Sequence, residues 1–122
     1  MKTLSKIFIK AKNSKVDYIV VLAHMGTEFS HQTNDFQKKW NKIFSNLGAN
    51  IILGDHSHAV QPLEFLGNTF IVNCPGNFAN SYIKNDGDAT AIVDLYFDVN
   101  TKKFIGSSII PCIHMNLSKN IL

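Results

Sequence analysis

Apolar residues in two stretches of the chain recur at helical spacing, which predicts two amphipathic helices. The first stretch covers residues 4–11, with lysines on the opposite face. The second covers residues 36–47, where Asn34 and Gln37 are placed to form a capping box and Gly48 is placed to end the helix. The apolar stripe of this second helix is predicted to be core and consists of Phe36, Trp40, Ile43, Phe44 and Leu47.

Two continuous apolar runs flank the second helix and predict buried strands. Residues 18–23 form a run typical of a strand that is covered on both faces. Residues 50–53 are a short, β-branched run, which predicts a strand that stops at Gly54. A strand, a helix and a strand in this order predict a βαβ unit with parallel strands and a right-handed crossover.

The rest of the chain is predicted to consist of β-hairpins. Residues 63–66 and 69–72 flank a Gly-Asn turn, and residues 90–99 and 104–110 flank a polar turn. The predicted fold class is therefore α/β, with a βαβ unit followed by β-hairpins. The 122 residues suffice for one small domain and not comfortably for two.

Three histidines follow the two strands of the predicted βαβ unit. His24 follows the first strand, and His56 and His58 follow the second, one residue apart, so that both can point into one cleft if the backbone is extended. Parallel strands end at the same sheet edge, where ligands bind in open α/β sheets, so we predict that the three imidazoles converge there. Such a set suits zinc, manganese, iron or nickel. Asp55 is either a further ligand or a residue that orients a histidine.

Two other polar residues are candidates for the same edge. Glu28, four residues after His24, either hydrogen-bonds a substrate or a histidine or is an exposed loop carboxylate. Asn77 can reach the edge as well, although a Gly-Asn pair is most often a turn.

The amino-acid composition of the chain argues against some classes of binding partner. The net charge is +3, but all twelve basic residues are scattered lysines and none is arginine, which argues against nucleic acid as a partner. No run approaches the roughly 20 apolar residues of a membrane span, and the N-terminus shows no signal-peptide pattern. Cys74 and Cys112 are far apart and predict neither a disulfide framework nor a thiolate zinc site, so the compartment stays open.

Several of these segments together resemble a known family. They are residues 24–29 (HMGTEF), Gln37, residues 48–64 (GANIILGDHSHAVQPLE) and residues 75–78 (PGNF). In this order and spacing they resemble the C-terminal half of the bacterial capsule-synthesis CapA (poly-γ-glutamate biosynthesis) family, which is similar to the calcineurin-like metallophosphoesterases. The resemblance runs from about residue 17 to residue 78.

The resemblance implies a fold and a set of roles. The fold would be part of a metallophosphatase-type α/β/β/α sandwich. His24, His56 and His58 would bind divalent metal ions (manganese, iron or zinc) in a centre that can be dinuclear, and His56 would also be catalytic. Glu28 and Asn77 lie in family motifs and would bind the substrate, a phosphorylated or anionic polymer-related molecule.

This sequence also departs from the family pattern. Asp55 stands where relatives commonly carry another histidine, and Cys74-Pro75 replaces the usual residues before Gly-Asn-Phe. The Asp-x-His, Gly-Asp-x-x-Asp and Gly-Asn-His segments of the superfamily's N-terminal half, expected to hold the bridging carboxylate and the acid histidine, do not occur in residues 1–122. We therefore expect one partial domain, a fragment that is weak or inactive by itself and able to lack metal. A second chain or self-association would complete it.

Two interpretations of the function remain open. In the first, the chain is part of a metal-dependent phosphoesterase-like hydrolase with metal-bound water as nucleophile. In the second, it is a non-catalytic component that helps assemble, tether or export an anionic surface polymer, with a degenerate metal site or none. Relatives are usually membrane-anchored and face outside, so the resemblance implies the cell envelope or the extracellular face.

Overall fold

Two helices and six strands make up the part of the chain that the computed structural model describes, residues 2–78 and 89–113. The elements are α1 (Lys2–Asn13), β1 (Val20–His24), α2 (Asp35–Leu47), β2 (Ile51–Asp55), β3 (Leu63–Leu66), β4 (Thr69–Val72), β5 (Ala89–Asp98) and β6 (Lys103–Ile113). The predicted alternation of helices and strands is confirmed.

The first four strands form one sheet in the order β1-β2-β4-β3. β1, β2 and β4 are parallel, and β3 is antiparallel to β4. The predicted parallel pairing of the two strands around α2 is therefore confirmed. In this register His24 lies directly beside Asp55, the last residue of β2.

The helices cover one face of this sheet. The buried cluster there consists of Phe8, Ala23, Met25, Ala49, Ile52 and Ile71, with Leu4, Ile19, Val21, Trp40, Phe44 and Leu47 packed against it. Side chains alternate between the two faces of a strand, so Phe70 lies on the opposite face from Ile71. There the ring of Phe70 stacks on that of Phe104 in β6, with centroids 5.0 Å apart.

The second sheet is the predicted hairpin of β5 and β6, which are antiparallel. It joins the first sheet through rings, since Phe104 contacts Phe70 and Phe65 while Phe97 lies 4.3 Å from Tyr18. Helices, a mixed sheet and a hairpin sheet make the protein an α/β sandwich, as predicted. No helix among residues 2–78 and 89–113 is long and apolar enough to cross a membrane.

The fully buried residues of α2 are polar, whereas Trp40, Phe44 and Leu47 of the predicted apolar stripe pack against the core cluster as partly buried residues. The buried residues of the helix are Gln37 and Asn41, whereas Phe36 is 58% exposed. The side-chain amides of Gln37 and Asn41 donate hydrogen bonds to Gln61 and Asn73, at 2.7 and 2.9 Å. Because these bonds turn the amide face inward, the aromatic stripe lies at the margin of the core and the prediction is wrong for Phe36.

The ends of α2 follow the predicted chemistry, but the end of β2 does not. Asn34 and Gln37 form the capping box, and Gly48 adopts the left-handed conformation at the C-cap. β2 does not stop at Gly54 and continues to Asp55. Gly54 is needed for a close approach of backbones, because a Cβ atom there would lie 2.1 Å from the carbonyl oxygen of Asn73.

Candidate functional site

The three predicted histidines line one pocket at the carboxyl-terminal edge of β1 and β2. The pocket has a volume of about 270 Å³. Its lining consists of His24, Asp55, His56, His58, Cys74, Gly76, Asn77 and Phe78. The imidazole centroids of His24 and His56 are 4.6 Å apart, and those of His56 and His58 are 6.5 Å apart. The parallel sheet therefore brings the three rings together.

Asp55 holds the ring of His24. The two residues are register neighbours, and the Nδ1–H group of His24 donates to Oδ1 of Asp55 at 2.6 Å. Their side chains are 73% and 69% exposed, so the pair contributes little to stability. Its consequence is orientation, because a ring held at Nδ1 offers Nε2 as its free donor atom. The contact supports the orienting role for Asp55.

Asn77 holds the ring of His58 in the same manner. The Nδ1–H group of His58 donates to Oδ1 of Asn77 at 2.6 Å, and the Asn77 amide donates to the His58 carbonyl at 3.4 Å. Asn77 is 8% exposed, and the ring of Phe29 stacks on that of His58. His24 and His58 are thus both fixed through Nδ1 and both offer Nε2. The predicted substrate contact of Asn77 stays a prediction.

The backbone at the His-x-His loop is bent, which corrects the extended geometry assumed from the sequence. His56 and His58 have φ values of 96° and 54°, in the left-handed region that non-glycine residues rarely adopt. Such residues cost of order 1–3 kcal/mol each and persist only where the surroundings fix them. Ser57 is fully buried between them, with its hydroxyl donating to the Ala59 carbonyl at 2.8 Å and its carbonyl accepting from Phe29 N–H at 2.6 Å. The anchored serine fixes the backbone between the two histidines.

A buried amide network fixes the two loops that flank the site. The Gln61 amide donates to the carbonyls of Ser30 and Gln32 at 2.9 and 3.1 Å, and its oxygen accepts from Gln37. Gln37 also caps α2, so the pair of Gln37 and Gln61 joins the start of the helix to the loop after β1 and to the loop after β2. Sequence reasoning identified the cap and missed the network, because a buried glutamine carries no hydrophobic signal.

Glu28 and His31 are not part of the pocket lining. Glu28 is exposed in the loop between β1 and α2 and is not part of the pocket lining, so its substrate role stays a prediction. The Nδ1–H group of His31 donates to the Val60 carbonyl at 2.9 Å. His114 lies outside the described residues. Cys74, which sequence reasoning assigned no role, is buried and lines the pocket.

The donor chemistry of the pocket suits a divalent metal ion, but the ligand set is incomplete. Imidazoles fixed through Nδ1 are the usual form of histidine ligands, and Asp55 supplies a carboxylate beside them. Within residues 2–78 and 89–113, no three His, Cys, Asp or Glu side chains are arranged to hold one ion. The pocket therefore offers oriented donors without a closed coordination shell.

Comparison with known proteins places the chain in a family. Residues 2–82 match the family model described as bacterial capsule synthesis protein PGA_cap, and the chain belongs to that family. It is similar to the PGA biosynthesis protein CapA of Bacillus subtilis (strain 168), with 36% identity over 70 residues that cover 57% of this chain and 18% of that protein. It is also similar to the capsule biosynthesis protein CapA of Bacillus anthracis, with 27% identity over 119 residues, 95% of this chain and 28% of that protein.

The similarity covers only part of each curated relative and does not extend to a solved structure. The chain spans less than a third of the length of both curated relatives. No solved structure gives a significant match.

Proposed function

We propose that the chain supplies part of a metal-dependent phosphoesterase-like site that serves the biosynthesis of a capsule or poly-γ-glutamate surface polymer. The observation that carries the proposal is the convergence of three imidazoles in one pocket, two of them fixed through Nδ1 by Asp55 and Asn77. Positioned donors of this kind are costly to build, since two of the histidines lie on left-handed backbone. Strain of this type is characteristic of functional sites.

In this proposal His24 and His58 would hold a divalent ion (manganese, iron or zinc) through Nε2, and His56 would be a further ligand and the catalytic residue. Because the three side chains are not arranged to hold one ion in this structure, binding would require the rings to rearrange. A bound ion would supply a Lewis acid for a phosphoryl oxygen and lower the pKa of a water molecule. The chain's own contribution is to orient the imidazoles. A second ion, as in a dinuclear centre, would need carboxylate ligands beyond those that line the pocket.

The proposed substrate is a phosphorylated or anionic molecule related to the polymer. The names of the two relatives refer to PGA biosynthesis and to capsule biosynthesis, which supports this substrate class. The corresponding location is the cell envelope or its extracellular face. The open pocket edge, where His24 and Asp55 are largely exposed, supports access for a large substrate.

The test is a manganese titration of the purified chain by calorimetry, followed by an assay of aryl phosphate hydrolysis with manganese added. We expect saturable binding of manganese and slow, metal-dependent hydrolysis. Binding without hydrolysis would overturn the catalytic part of the proposal and leave the metal site. A chain that neither binds manganese nor hydrolyses the ester would overturn both.

A second candidate function is a non-catalytic component that assembles, tethers or exports the polymer. The incomplete ligand set among residues 2–78 and 89–113 favours this candidate. The same titration separates the two, because this candidate requires neither bound metal nor turnover.

The proposal includes a second polypeptide that covers the exposed strand β1. The experiment tests a second copy of this chain as that polypeptide. β1 is an edge strand of its sheet, and Leu22 is 81% exposed on the face opposite the helices. An exposed apolar edge is a template for pairing. We expect concentration-dependent association in sedimentation experiments and its reduction by Leu22→Lys.

The matched control for this experiment is Val99→Lys. Val99 is comparably exposed but lies in the turn between β5 and β6, away from β1. A wild-type chain that stays monomeric at all concentrations would contradict self-association, as would equal effects of the two substitutions.

A further inference from the structure

A second cavity lies at the end of the first sheet opposite to the histidine pocket. Its volume is about 420 Å³, within the range of about 300–1,000 Å³ that is typical of small-molecule sites. Asn50, directly before β2, belongs to its lining, whereas the histidine pocket lies at the other end of that strand. The two cavities share no lining residue, so the second cavity is a separate candidate site.

The polar part of the lining consists of hydrogen-bond donors and positive charge. It comprises two amides and two ammonium groups, from Asn50, Asn68, Lys102 and Lys103. No carboxylate of residues 2–78 and 89–113 belongs to this lining. Ammonium and amide N–H groups together favour an anion, because hydrogen bonds to an ionised acceptor are the strong ones.

The turn between β5 and β6 presents the two lysines to the cavity. Oδ1 of Asp98 accepts from the backbone N–H groups of Asn100 and Thr101, at 3.0 and 2.5 Å. The backbone N–H of Lys102 donates to the Asp98 carbonyl at 2.9 Å. The Asp98 carboxylate is therefore tied to its own turn, and the turn is fixed by the residues that precede Lys103.

The donors of the cavity are available to a ligand. Nζ of Lys102 lies 3.6 Å from Oδ2 of Asp17, but both side chains are about half exposed, so this ion pair is weak and a ligand can displace it. Oδ1 of Asn50 accepts from the Ile19 N–H at 2.8 Å. An amide that is held through its oxygen offers its NH₂ group as the donor to a ligand.

The apolar part of the lining comes from aromatic rings of both sheets. Phe65 of β3 and Phe104 of β6 line the cavity, and their ring centroids are 5.9 Å apart. The ring of Tyr18 is a third wall. These rings offer contact area to carbon atoms, which a simple inorganic anion does not have.

We propose that this cavity binds a small organic anion, a carboxylate or phosphate carried on a short carbon frame, and that it does so without a metal. The ammonium groups of Lys102 and Lys103 neutralise the anionic group, and the two asparagine amides donate to its oxygens. Phe65 and Phe104 contact the carbon frame. The inference goes beyond the proposed function, because the site is distinct from the histidine pocket, and it agrees with an anionic substrate class.

The test follows the side-chain NH₂ signals of Asn50 and Asn68 in proton–nitrogen correlation spectra of the metal-free protein. The probes are glutarate, glycerol 3-phosphate and glutaramide, the last being the neutral counterpart of glutarate. We expect saturable shifts with at least one of the two anions, and the tighter anion identifies the carboxylate or the phosphate as the ligand group. Saturable shifts with neither anion would overturn the proposal, as would glutaramide binding as tight as that of the anions.

The Lys102→Gln/Lys103→Gln variant should weaken binding of the anion about tenfold or more, the range expected for lost charge-assisted hydrogen bonds. The matched control is Lys38→Gln/Lys39→Gln, which removes the same charge from two adjacent, exposed lysines of α2 that do not line the cavity. Salt screens distant charges, so the control should stay within about twofold of the wild-type affinity. Equal losses in the two variants would show that net charge, and not this cavity, attracts the anion.

Asp17→Asn should change the affinity in the opposite direction. Asp17 competes with the ligand for Lys102, so its neutralisation should strengthen binding by about two- to fivefold. A merely structural defect would not produce tighter binding. Weaker binding in this variant would contradict the proposed contact between Lys102 and the anion.

The histidine pocket is tested separately. The His56→Ala/His58→Ala variant should keep its affinity for the anion, and Lys102→Gln/Lys103→Gln should keep the wild-type response to manganese. Loss of anion binding in the histidine variant would place the anion in the histidine pocket and overturn the proposal.

Discussion

Replacing Gly54 by alanine is expected to destabilise the protein by about 3 kcal/mol or more, the upper part of the range for overpacked cores. The added Cβ would lie 2.1 Å from the carbonyl oxygen of Asn73 and 3.0 Å from its carbonyl carbon. Both are backbone atoms of the segment that follows β4, so no flexible side chain can move away. β2 lies between β1 and β4, and separating it from β4 would disturb the residues that lead to the histidine loop. Urea unfolding monitored by circular dichroism measures the loss.

Gly106→Ala provides the control for this prediction. Gly106 is also a strand glycine, but a Cβ atom there meets nothing within 4 Å. Its substitution should change the free energy of unfolding by no more than about 0.5 kcal/mol. A Gly54→Ala variant as stable as Gly106→Ala would show that the two backbones do not approach as closely as the structure indicates.

Removing two imidazoles from the pocket is expected to produce the largest change in metal affinity. The His56→Ala/His58→Ala variant loses two of the three proposed ligands, and we expect manganese binding to weaken by about a hundredfold or more. Asn77→Ala should weaken manganese binding by about 10- to 100-fold. Without Asn77 the ring of His58 is no longer held, so part of the binding free energy is used to orient it. Calorimetric titration of each variant with manganese gives this series.

Two further variants test whether the loss of manganese affinity is specific to the pocket and to the orientation of the His58 ring. His31→Ala removes a histidine that binds the Val60 carbonyl and does not line the pocket, so manganese affinity should stay at the wild-type level. Asn77→Asp keeps an oxygen that accepts from Nδ1 of His58 and should restore most of the affinity lost in Asn77→Ala. If His31→Ala weakened binding as much as the double variant, the metal would be held outside the pocket.

The parts of the fold that follow from local patterns were predictable from the sequence. The capping box of Asn34 and Gln37 needs only short-range contacts, and it is present as predicted. The parallel pairing of β1 and β2 follows from the length of the helical connection between them. The parallel pairing is what brings His24 to the same edge as the histidine pair.

The features that were not predictable depend on contacts distant in sequence. The inward amide face of α2 depends on Gln61 and Asn73, which lie 24 and 32 residues from their partners. The bent backbone at His56 and His58 depends on the burial of Ser57, and no property of a His-x-His motif reveals it. Hydrophobic periodicity measures apolar burial alone, so it placed Trp40, Phe44 and Leu47 correctly against the core but was wrong for Phe36 and missed the buried amides of Gln37 and Asn41.

The alignment of β1 against β2 also has a consequence for detecting misfolded molecules. Neighbouring residues of a strand point in opposite directions, so sliding β1 by a single position would turn His24 away from Asp55 and put an apolar side chain in its place. Such a molecule would keep its helices and its strand content, so far-ultraviolet circular dichroism spectra would not distinguish it from the correctly folded protein. Under the proposed metal-binding function, its affinity for a transition metal would distinguish it, and a metal titration would then be an assay of correct strand alignment.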